Sequence, residues 1–81
     1  MISVELTKPF KKIVREARRE QEVTATLKLV QEGFGNPHAH TGISIRKLNR
    51  DLYECRTGLA WRLVFSAGKG VLTFDFAGAR A

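Results

Sequence analysis

The sequence is poor in cysteine and has no long apolar run, and both absences limit the classes of protein to which it can belong. Cys55 is the only cysteine among 81 residues, so an internal disulfide framework is excluded. A lone thiol suits a reducing compartment. No apolar stretch approaches the roughly 18 residues that a membrane-spanning helix needs, and the N-terminus alternates before Pro9, unlike a signal peptide. We therefore expect a cytoplasmic protein with no membrane partner.

Motifs for nucleotide hydrolysis and for zinc binding are also missing. The sequence has no Walker loop, no paired catalytic carboxylates and no Cys/His ligand spacing. His38 and His40 flank Ala39 in a loop and could bind a metal, but neither a cysteine nor a carboxylate accompanies them. A solvated loop is the favoured interpretation, and a mobile general acid is an alternative because histidine titrates near neutral pH. The sequence predicts no metal and no small-molecule cofactor.

Basic residues outnumber acidic ones, which gives a net charge of +6 and an isoelectric point near 10.1. Such a charge favours an anionic partner: nucleic acid, the ribosome or an acidic protein segment. A chain of this length forms one small domain with a modest core. Since no repeat, linker or low-complexity segment divides it, we expect a single domain over residues 1–81.

The N-terminal half predicts a strand followed by two helices. Ile2, Val4 and Leu6 alternate with polar neighbours, as in a short strand. Thr7 can cap a helix whose first turn holds Pro9. Apolar residues at helical spacing then predict two amphipathic helices that face a core. Their apolar positions are Phe10, Ile13, Val14 and Ala17 in the first helix and Val23, Leu27, Val30 and Phe34 in the second.

After Pro37 the apolar period changes to two, which predicts an antiparallel meander. We expect Leu72, Phe74 and Phe76 to share one face of the last strand. The expected strands run from Ile43 to near Leu48, from Leu52 to Arg56, from Ala60 to Ser66 and from Val71 to Phe76. The predicted fold class is α+β: an N-terminal strand, two helices, then a three- to four-stranded antiparallel meander, with the helices packed on one face of the sheet.

Two neighbouring strands carry charged residues whose placement depends on the loop between them. Glu54 and Arg56 share one face of their strand. A loop with an odd number of residues, such as 57–59, pairs Arg62 with Glu54 on that face, whereas a two-residue loop turns Arg62 away. We predict the odd loop, because it keeps the charged Arg62 out of the core. From the residues alone, the cluster is either a phosphate site or an ion pair on a solvated face, worth under about 1 kcal/mol.

The order of these segments resembles that of the RelE/ParE-type bacterial toxins, and the resemblance covers most of the chain. The segments that carry it are Lys8-Pro9-Phe10 at the helix start, the second helix, Arg46-Lys47-Leu48, Leu52-Tyr53-Glu54-Cys55-Arg56 and Trp61-Arg62-Leu63-Val64-Phe65. Their order and spacing together support the assignment. The resemblance implies a small sheet whose basic face, in the RelE branch, cleaves messenger RNA on the ribosome.

In that RNA-cleaving branch, the resemblance implies a site with three arginines. Arg62 and a basic residue at the position of Arg56 line the RNA site, and Arg80 matches an arginine that follows the last strand after a glycine. The cleavage resembles metal-free ribonuclease chemistry, in which the 2′-hydroxyl attacks the adjacent phosphorus. Arg62 would neutralise the developing charge, while Arg56 and Arg80 would orient the phosphate. Glu54 is either the general base or only the ion-pair partner of Arg56.

Further basic residues are candidates for RNA binding, and three other residues have structural interpretations. Trp61 can stack on a base, but a core position beside its apolar strand neighbours is favoured. Cys55 is expected to be buried and inert. The basic face of the first helix is either a solvated surface or a site that binds ribosomal RNA, and the two alternatives are equal. The RNA-binding candidates are Arg46, Lys47 and Arg50 in the meander and Lys11, Lys12 and Arg15 on the first helix.

The resemblance also implies partners. These are the ribosome with its mRNA, and a cognate antitoxin whose extended, acidic or apolar segment covers Arg56 and Arg62. The rival interpretation is a binding module, either a ParE-like gyrase inhibitor or a catalytically inactive antitoxin-binding subunit. Many relatives continue in a short tail with a tyrosine or histidine, whereas this sequence ends at Ala81. We therefore expect a domain without that tail, with either a weak or lost activity or a function that does not need it.

Overall fold

The strands of the described residues form a five-stranded sheet with both helices on one side. In the computed structural model, which describes residues 2–36, 44–58 and 60–79, the elements follow the predicted order. They are β1 (Ser3–Leu6), α1 (Lys8–Glu16), α2 (Glu20–Gly33), β2 (Arg46–Lys47), β3 (Leu52–Thr57), β4 (Trp61–Gly68) and β5 (Val71–Ala79). The spatial order is β1-β5-β4-β3-β2. The predicted α+β fold class, with helices on one face of the sheet, is confirmed.

The sheet is mixed, because β1 runs parallel to its neighbour whereas the other pairs are antiparallel. Strands β2 to β5 form the predicted meander. Strand β1 pairs with β5, from Ser3 opposite Val71 to Leu6 opposite Phe74. Parallel neighbours need a crossover connection, and α1 and α2 lie in that connection. The alternating pattern predicted the strand β1 but could not identify its partner.

Helix α1 begins at the predicted cap. Thr7 Oγ1 accepts a hydrogen bond from the Phe10 backbone N–H at 3.2 Å, and Pro9 lies in the first turn. The same hydroxyl donates to the Phe74 carbonyl at 3.2 Å, which ties the helix start to β5. Because Phe10 and Val14 are buried, α1 packs on the sheet through the face that its spacing predicted.

The core lies between the helices and one face of the sheet, which we call the helix face. Phe74 is central to it, with its ring centroid 5.6 Å from that of Phe10 and 4.7 Å from that of Phe65. Aromatic pairs of this kind add to the stabilisation from apolar burial. The opposite side, the open face, is covered by no helix of the described residues. The buried core residues are Phe10, Val14, Val23, Val30, Cys55, Leu63, Phe65, Leu72, Phe74 and Ala77.

A β-bulge in β5 changes which residues face the core. Between two successive pairs of the β4–β5 ladder, β5 contributes one residue more than β4, and this extra residue is Asp75. The bulge reverses the alternation, so Ala77 turns into the core whereas Phe76 is 43% exposed on the open face. The prediction that Phe76 shares a face with Leu72 and Phe74 is therefore wrong, because it assumed strict alternation through Asp75.

The loop between β3 and β4 has an odd number of residues, as predicted, but lies one position further along the chain. It comprises residues 58–60, which places Arg62 directly opposite Arg56. The prediction that Arg62 shares a face with Glu54 is confirmed. The prediction that Arg62 pairs directly with Glu54 is wrong, because the partner of Arg62 lies two residues further along β3. The two side chains contact each other diagonally across the ladder instead.

Strand β2 is shorter than the strand predicted from Ile43 to Leu48. The described ladder comprises only Arg46 and Lys47, each paired with a residue of β3. Ile43 lies outside the described residues. This short edge strand nevertheless brings a further arginine to the open face.

Candidate functional site

The open face brings the predicted charged residues together on three neighbouring strands. Alternation along β3 and β4 turns Glu54, Arg56 and Arg62 away from the core. Strand β2 adds Arg46, which is paired with Glu54. We call these four residues the arginine cluster. Three guanidinium groups and one carboxylate leave a local charge of +2, so the cluster is suited to an anion such as phosphate.

Glu54 lies at the centre of the arginine cluster. Its Oε1 forms an ion pair with Arg46 Nη2 at 2.8 Å, and its Oε2 accepts a hydrogen bond from Arg62 Nη1 at 3.2 Å. The Glu54 side chain is 16% exposed, compared with 37% for Arg62 and 72% for Arg46. Each carboxylate oxygen contacts one arginine and keeps a second lone pair, so Glu54 can still accept a proton from a substrate. In this arrangement Glu54 orients two arginines.

Arg56 and Arg62 face each other across the β3–β4 ladder. Like charges directly opposite one another in an antiparallel pair are destabilising. The Nε of Arg62 is buried and has no hydrogen-bond partner within the described residues, while Arg56 is exposed to solvent. A phosphate group between the two guanidinium groups would remove the repulsion without a change in the backbone. This pair is therefore the part of the cluster best suited to an anion.

The other predicted RNA-binding residues lie apart from the arginine cluster. Lys47 points to the opposite side of β2 from Arg46, with its Nζ 6.0 Å from the Tyr53 ring centroid. Arg50 lies in the exposed turn between β2 and β3. Arg80, the third predicted catalytic arginine, lies outside the described residues. Exposed basic side chains of α1 occupy the helix layer, on the far side of the sheet from the cluster; they are Lys11, Lys12 and Arg15.

Solved toxin structures share this architecture. YafQ from E. coli strain BL21(DE3) superposes with a TM-score of 0.66 at 16% sequence identity, over 98% of this chain and 93% of that chain. The archaeal RelE–RelB complex from Pyrococcus horikoshii OT3 superposes with a TM-score of 0.69 at 19% identity, over 99% of this chain and 96% of that chain. The chain has the RelE-like toxin fold.

A further structure with the RelE-like fold is the E. coli DinJ–YafQ toxin–antitoxin complex, with a TM-score of 0.65 at 14% identity over 96% of this chain and 91% of that chain. No protein-family model and no curated protein matches the sequence. At such low identity, the likeness shows the fold and leaves the chemistry to the residues of this chain. The resemblance drawn from the order of the sequence segments is confirmed at the level of that fold.

One residue on the open face of this RelE-like sheet, Phe76, was not predicted as a site residue. The tip of the Phe76 ring lies over Gly78, where a Cβ would stand only 2.8 Å from Phe76 Cζ. Gly78 is the ladder partner of Arg62, so the ring lies beside the arginine cluster. A glycine inside a strand often marks a bulge or a close approach. Gly78 is therefore the feature of the sequence that could have indicated this arrangement.

A polar network on the helix face holds the β3–β4 hairpin against α2. The buried Thr57 hydroxyl lies 2.7 Å from the Thr26 hydroxyl and donates to the Glu22 carbonyl at 3.4 Å. Arg19 pairs with Glu22 at 3.2 Å and lies over the Trp61 ring, 4.5 Å from its centroid. Trp61 is thus packed against the core, as the sequence favoured, and does not reach the open face.

Cys55 is buried on the helix face, as predicted. Burial, with a smaller contribution from the charge of Glu54, raises the pKa of its thiol from 9.0 to about 12. The thiol therefore stays protonated at neutral pH. Since the thiolate is the reactive form, Cys55 is a packing residue in this RelE-like fold.

The described residues contain neither a group of metal ligands nor a membrane-spanning helix. Across residues 2–36, 44–58 and 60–79, no three His, Cys, Asp or Glu side chains are grouped so as to hold a metal ion. His38 and His40, the histidines of the predicted loop, lie outside those residues. Within the same part of the chain, neither helix has the length and apolar character to cross a bilayer.

Proposed function

We propose that this protein is the toxin component of a bacterial toxin–antitoxin pair and acts as a ribosome-dependent mRNA endoribonuclease that represses translation. The observation that carries the proposal is the pair of Arg56 and Arg62, held opposite each other on an exposed sheet face. The RelE-like fold supports it, because solved proteins with this fold include YafQ and a RelE–RelB complex.

The proposed reaction is cleavage of an RNA phosphodiester by its own 2′-hydroxyl. The 2′-oxygen attacks phosphorus as a base removes its proton, the bond to the 5′-oxygen breaks, and an acid protonates that leaving oxygen. The products are a 2′,3′-cyclic phosphate and a 5′-hydroxyl end. Negative charge accumulates on the non-bridging oxygens in the transition state. Arg62 neutralises this charge, while Arg56 and Arg80 orient the phosphate.

Glu54 is our candidate for the base. It lies at 3.2 Å from Arg62, so a phosphate bound to Arg62 would lie close to its carboxylate. Substrate phosphate can replace Glu54 as the partner of Arg62, and this exchange would release one carboxylate oxygen to accept the 2′-hydroxyl proton. The same guanidinium group would then serve first to hold the base and later to hold the phosphate.

We propose two sets of RNA contacts, because the basic residues lie on opposite sides of the sheet. Arg46, Lys47 and Arg50 lie along the β2 edge, with Arg46 on the open face and Lys47 on the opposite side of the strand. At this edge they would contact the mRNA on either side of the cleaved bond. The basic face of α1 would contact ribosomal RNA phosphates on the other side of the molecule; its residues are Lys11, Lys12 and Arg15.

The proposed protein partner is a cognate antitoxin, and the proposed location is the cytoplasm. Solved complexes of this fold pair YafQ with DinJ and RelE with RelB. An acidic or apolar antitoxin segment lying on the open face would cover Arg56 and Arg62 and exclude RNA by occupying the same cations.

A second candidate is a binding module without nuclease activity, such as a ParE-like gyrase inhibitor. The observation that favours it is the engagement of both Glu54 oxygens by Arg46 and Arg62. A carboxylate held in this way stabilises the surface and need not take part in catalysis.

Primer extension on an mRNA translated in a purified system tests the proposal. The wild type should introduce breaks in register with the codons only when ribosomes are present. Arg62→Ala should lower cleavage at least about 100-fold, as expected for loss of one transition-state donor. Its fold, followed by circular dichroism, should be unchanged because the Arg62 side chain is partly exposed on the sheet surface.

Lys28→Ala is the matched control. It removes an exposed positive charge from α2, away from the arginine cluster. This variant should cleave like the wild type. Intact mRNA with folded wild-type protein would instead favour the binding module, and full cleavage by folded Arg62→Ala would remove Arg62 from the site.

A further inference from the structure

Phe76 is an aromatic residue presented to solvent by a specific backbone irregularity. The bulge at Asp75 turns it out of the core, and 43% of its surface is exposed. Its ring lies over Gly78 at a distance that a Cβ would not permit. Two sequence features, an extra residue and a glycine, therefore place the tip of this ring over Gly78 on the sheet surface, and neither contributes to the core.

The position of the ring relative to the arginine cluster suggests its use. Gly78 is opposite Arg62, and Arg62 is opposite Arg56. Gly78, under the ring, and the backbone positions of the two arginines thus lie in a row across three adjacent strands, which spans roughly 10 Å at the usual strand spacing. A nucleotide has the matching arrangement, with an aromatic base joined through its sugar to a phosphate.

We infer that Phe76 is a stacking platform for a base of single-stranded RNA whose phosphate is held by Arg56 and Arg62. The inference rests on the proposed function and adds a base-binding subsite to it. Exposed aromatic side chains on a sheet surface are a common means of holding unpaired bases. Because every base has a π face, such a platform adds affinity with little dependence on base identity.

The charges around Phe76 favour an anionic occupant, and single-stranded RNA is one. On the side of β4 and β3 it neighbours Arg62, Arg56 and the net positive charge of the cluster. On the other side, the exposed carboxylates are Asp75, next to Phe76 in the chain, and Glu5, which is opposite Thr73 on β1. An anionic strand would therefore run from Phe76 towards β3, and not across β1.

Fluorescence anisotropy with labelled oligonucleotides tests the platform. One probe is a single-stranded 2′-O-methyl RNA hexamer, which has no free 2′-hydroxyl and cannot be cleaved. The other is an abasic hexamer with the same phosphates. The wild type should bind the base-containing probe at least about fivefold more tightly, and Phe76→Leu should reduce that affinity to the abasic level.

Three further variants and one control sharpen the test. Phe76→Trp should retain the preference for bases, because it keeps a π face. Gly78→Ala should lose it, because the new methyl group displaces the ring without removing it. The double variant Phe76→Leu/Gly78→Ala should be no weaker than Phe76→Leu alone. The control is Leu29→Ala, which removes an exposed apolar side chain from α2 and should behave like the wild type.

The outcomes separate this inference from the proposed nuclease. Equal wild-type affinity for the two probes overturns the platform, even if ribosome-dependent cleavage is observed. A base preference that needs Phe76 supports the platform even if no mRNA is cut. If Phe76→Leu leaves RNA affinity unchanged but abolishes self-association of the wild type in sedimentation, the ring is a protein contact and the platform is wrong.

Discussion

The two faces of the sheet use the same strands for different purposes. On the helix face, Cys55, Leu63 and Phe65 are fully buried against α1 and α2. On the open face, the intervening positions carry the arginine cluster. Burial of one large apolar side chain contributes about 1.5–3 kcal/mol, whereas a surface ion pair contributes at most about 1 kcal/mol. Stability therefore depends on one face, which leaves the other free to hold repelling charges and an exposed ring.

The largest expected effect comes from the helix face. Phe65→Ala should lower the free energy of unfolding by about 3–5 kcal/mol, because it leaves a cavity between two stacked rings. Arg56→Ala, on the open face of the neighbouring strand, should change it by no more than about 0.5 kcal/mol. Urea denaturation followed by Trp61 fluorescence measures both. Similar losses for the two variants would show that the faces are not divided in this way.

A smaller loss of stability is expected from a change in the polar network of the helix face. Thr57→Val keeps the shape of the side chain but removes the hydroxyl that meets Thr26 and Glu22. The unfolding free energy should fall by about 1–3 kcal/mol, since buried polar partners lose a hydrogen bond. Thr57→Ser keeps the hydroxyl and should lose less. Equal losses in the same denaturation assay would assign the effect to packing and not to the hydrogen bonds.

The raised pKa of the Cys55 thiol predicts how the stability of the protein responds to alkaline pH. The pKa of this thiol is raised from 9.0 to about 12 in the folded protein. Between these values the unfolded thiol loses its proton while the folded one keeps it, so stability present below pH 9 falls as the pH rises. The limiting slope is about 1.4 kcal/mol per pH unit.

Cys55→Ala isolates this dependence from that of other groups that titrate in the same range. Both proteins would be unfolded in urea from pH 8 to pH 10. As the pH rises, the unfolding free energy of the wild type should fall relative to that of Cys55→Ala. A difference that is constant over this range would contradict the raised pKa.

A small effect on stability is also expected at the centre of the arginine cluster. Glu54→Gln breaks two surface ion pairs and should change the unfolding free energy by less than about 1 kcal/mol. It also removes the one carboxylate of the cluster, so affinity for single-stranded RNA should rise and become more dependent on salt. If this variant binds RNA more tightly but no longer cleaves mRNA, Glu54 is the base. Retained cleavage would make it only an ion-pair partner.

Local chemistry made most of the fold predictable from the sequence. The Thr7 cap, most of the apolar spacing in both helices and the charged face of Glu54 and Arg56 depend on neighbouring residues, and the structure contains them. The exception is Ala17, predicted on the core face of the first helix, which follows the end of α1 and is exposed. Features that depend on distant partners were not predicted. The parallel pairing of β1 with β5 is one of them, because alternation fixes the face of a strand and not its neighbour.

The missed part of the candidate site has a more specific cause. The outward turn of Phe76 results from one extra residue, Asp75, and no periodicity signal marks which residue of a strand will bulge. The exact loop position of the β3–β4 hairpin was similarly undetermined, because loops of three residues at either position preserve the same faces. The predicted role of Arg80 remains a prediction, since it lies outside the described residues.

Amide chemical-shift mapping by NMR tests the division between the two faces most directly. A single-stranded RNA hexamer would be added at low salt to the ¹⁵N-labelled protein. We predict saturable shifts concentrated at Glu54–Arg56, at Arg62–Val64 and at Phe76–Gly78, with α2 unaffected. Shifts confined to α1, with these three strand segments unchanged, would contradict the account, because RNA would then bind the helix layer and not the open face.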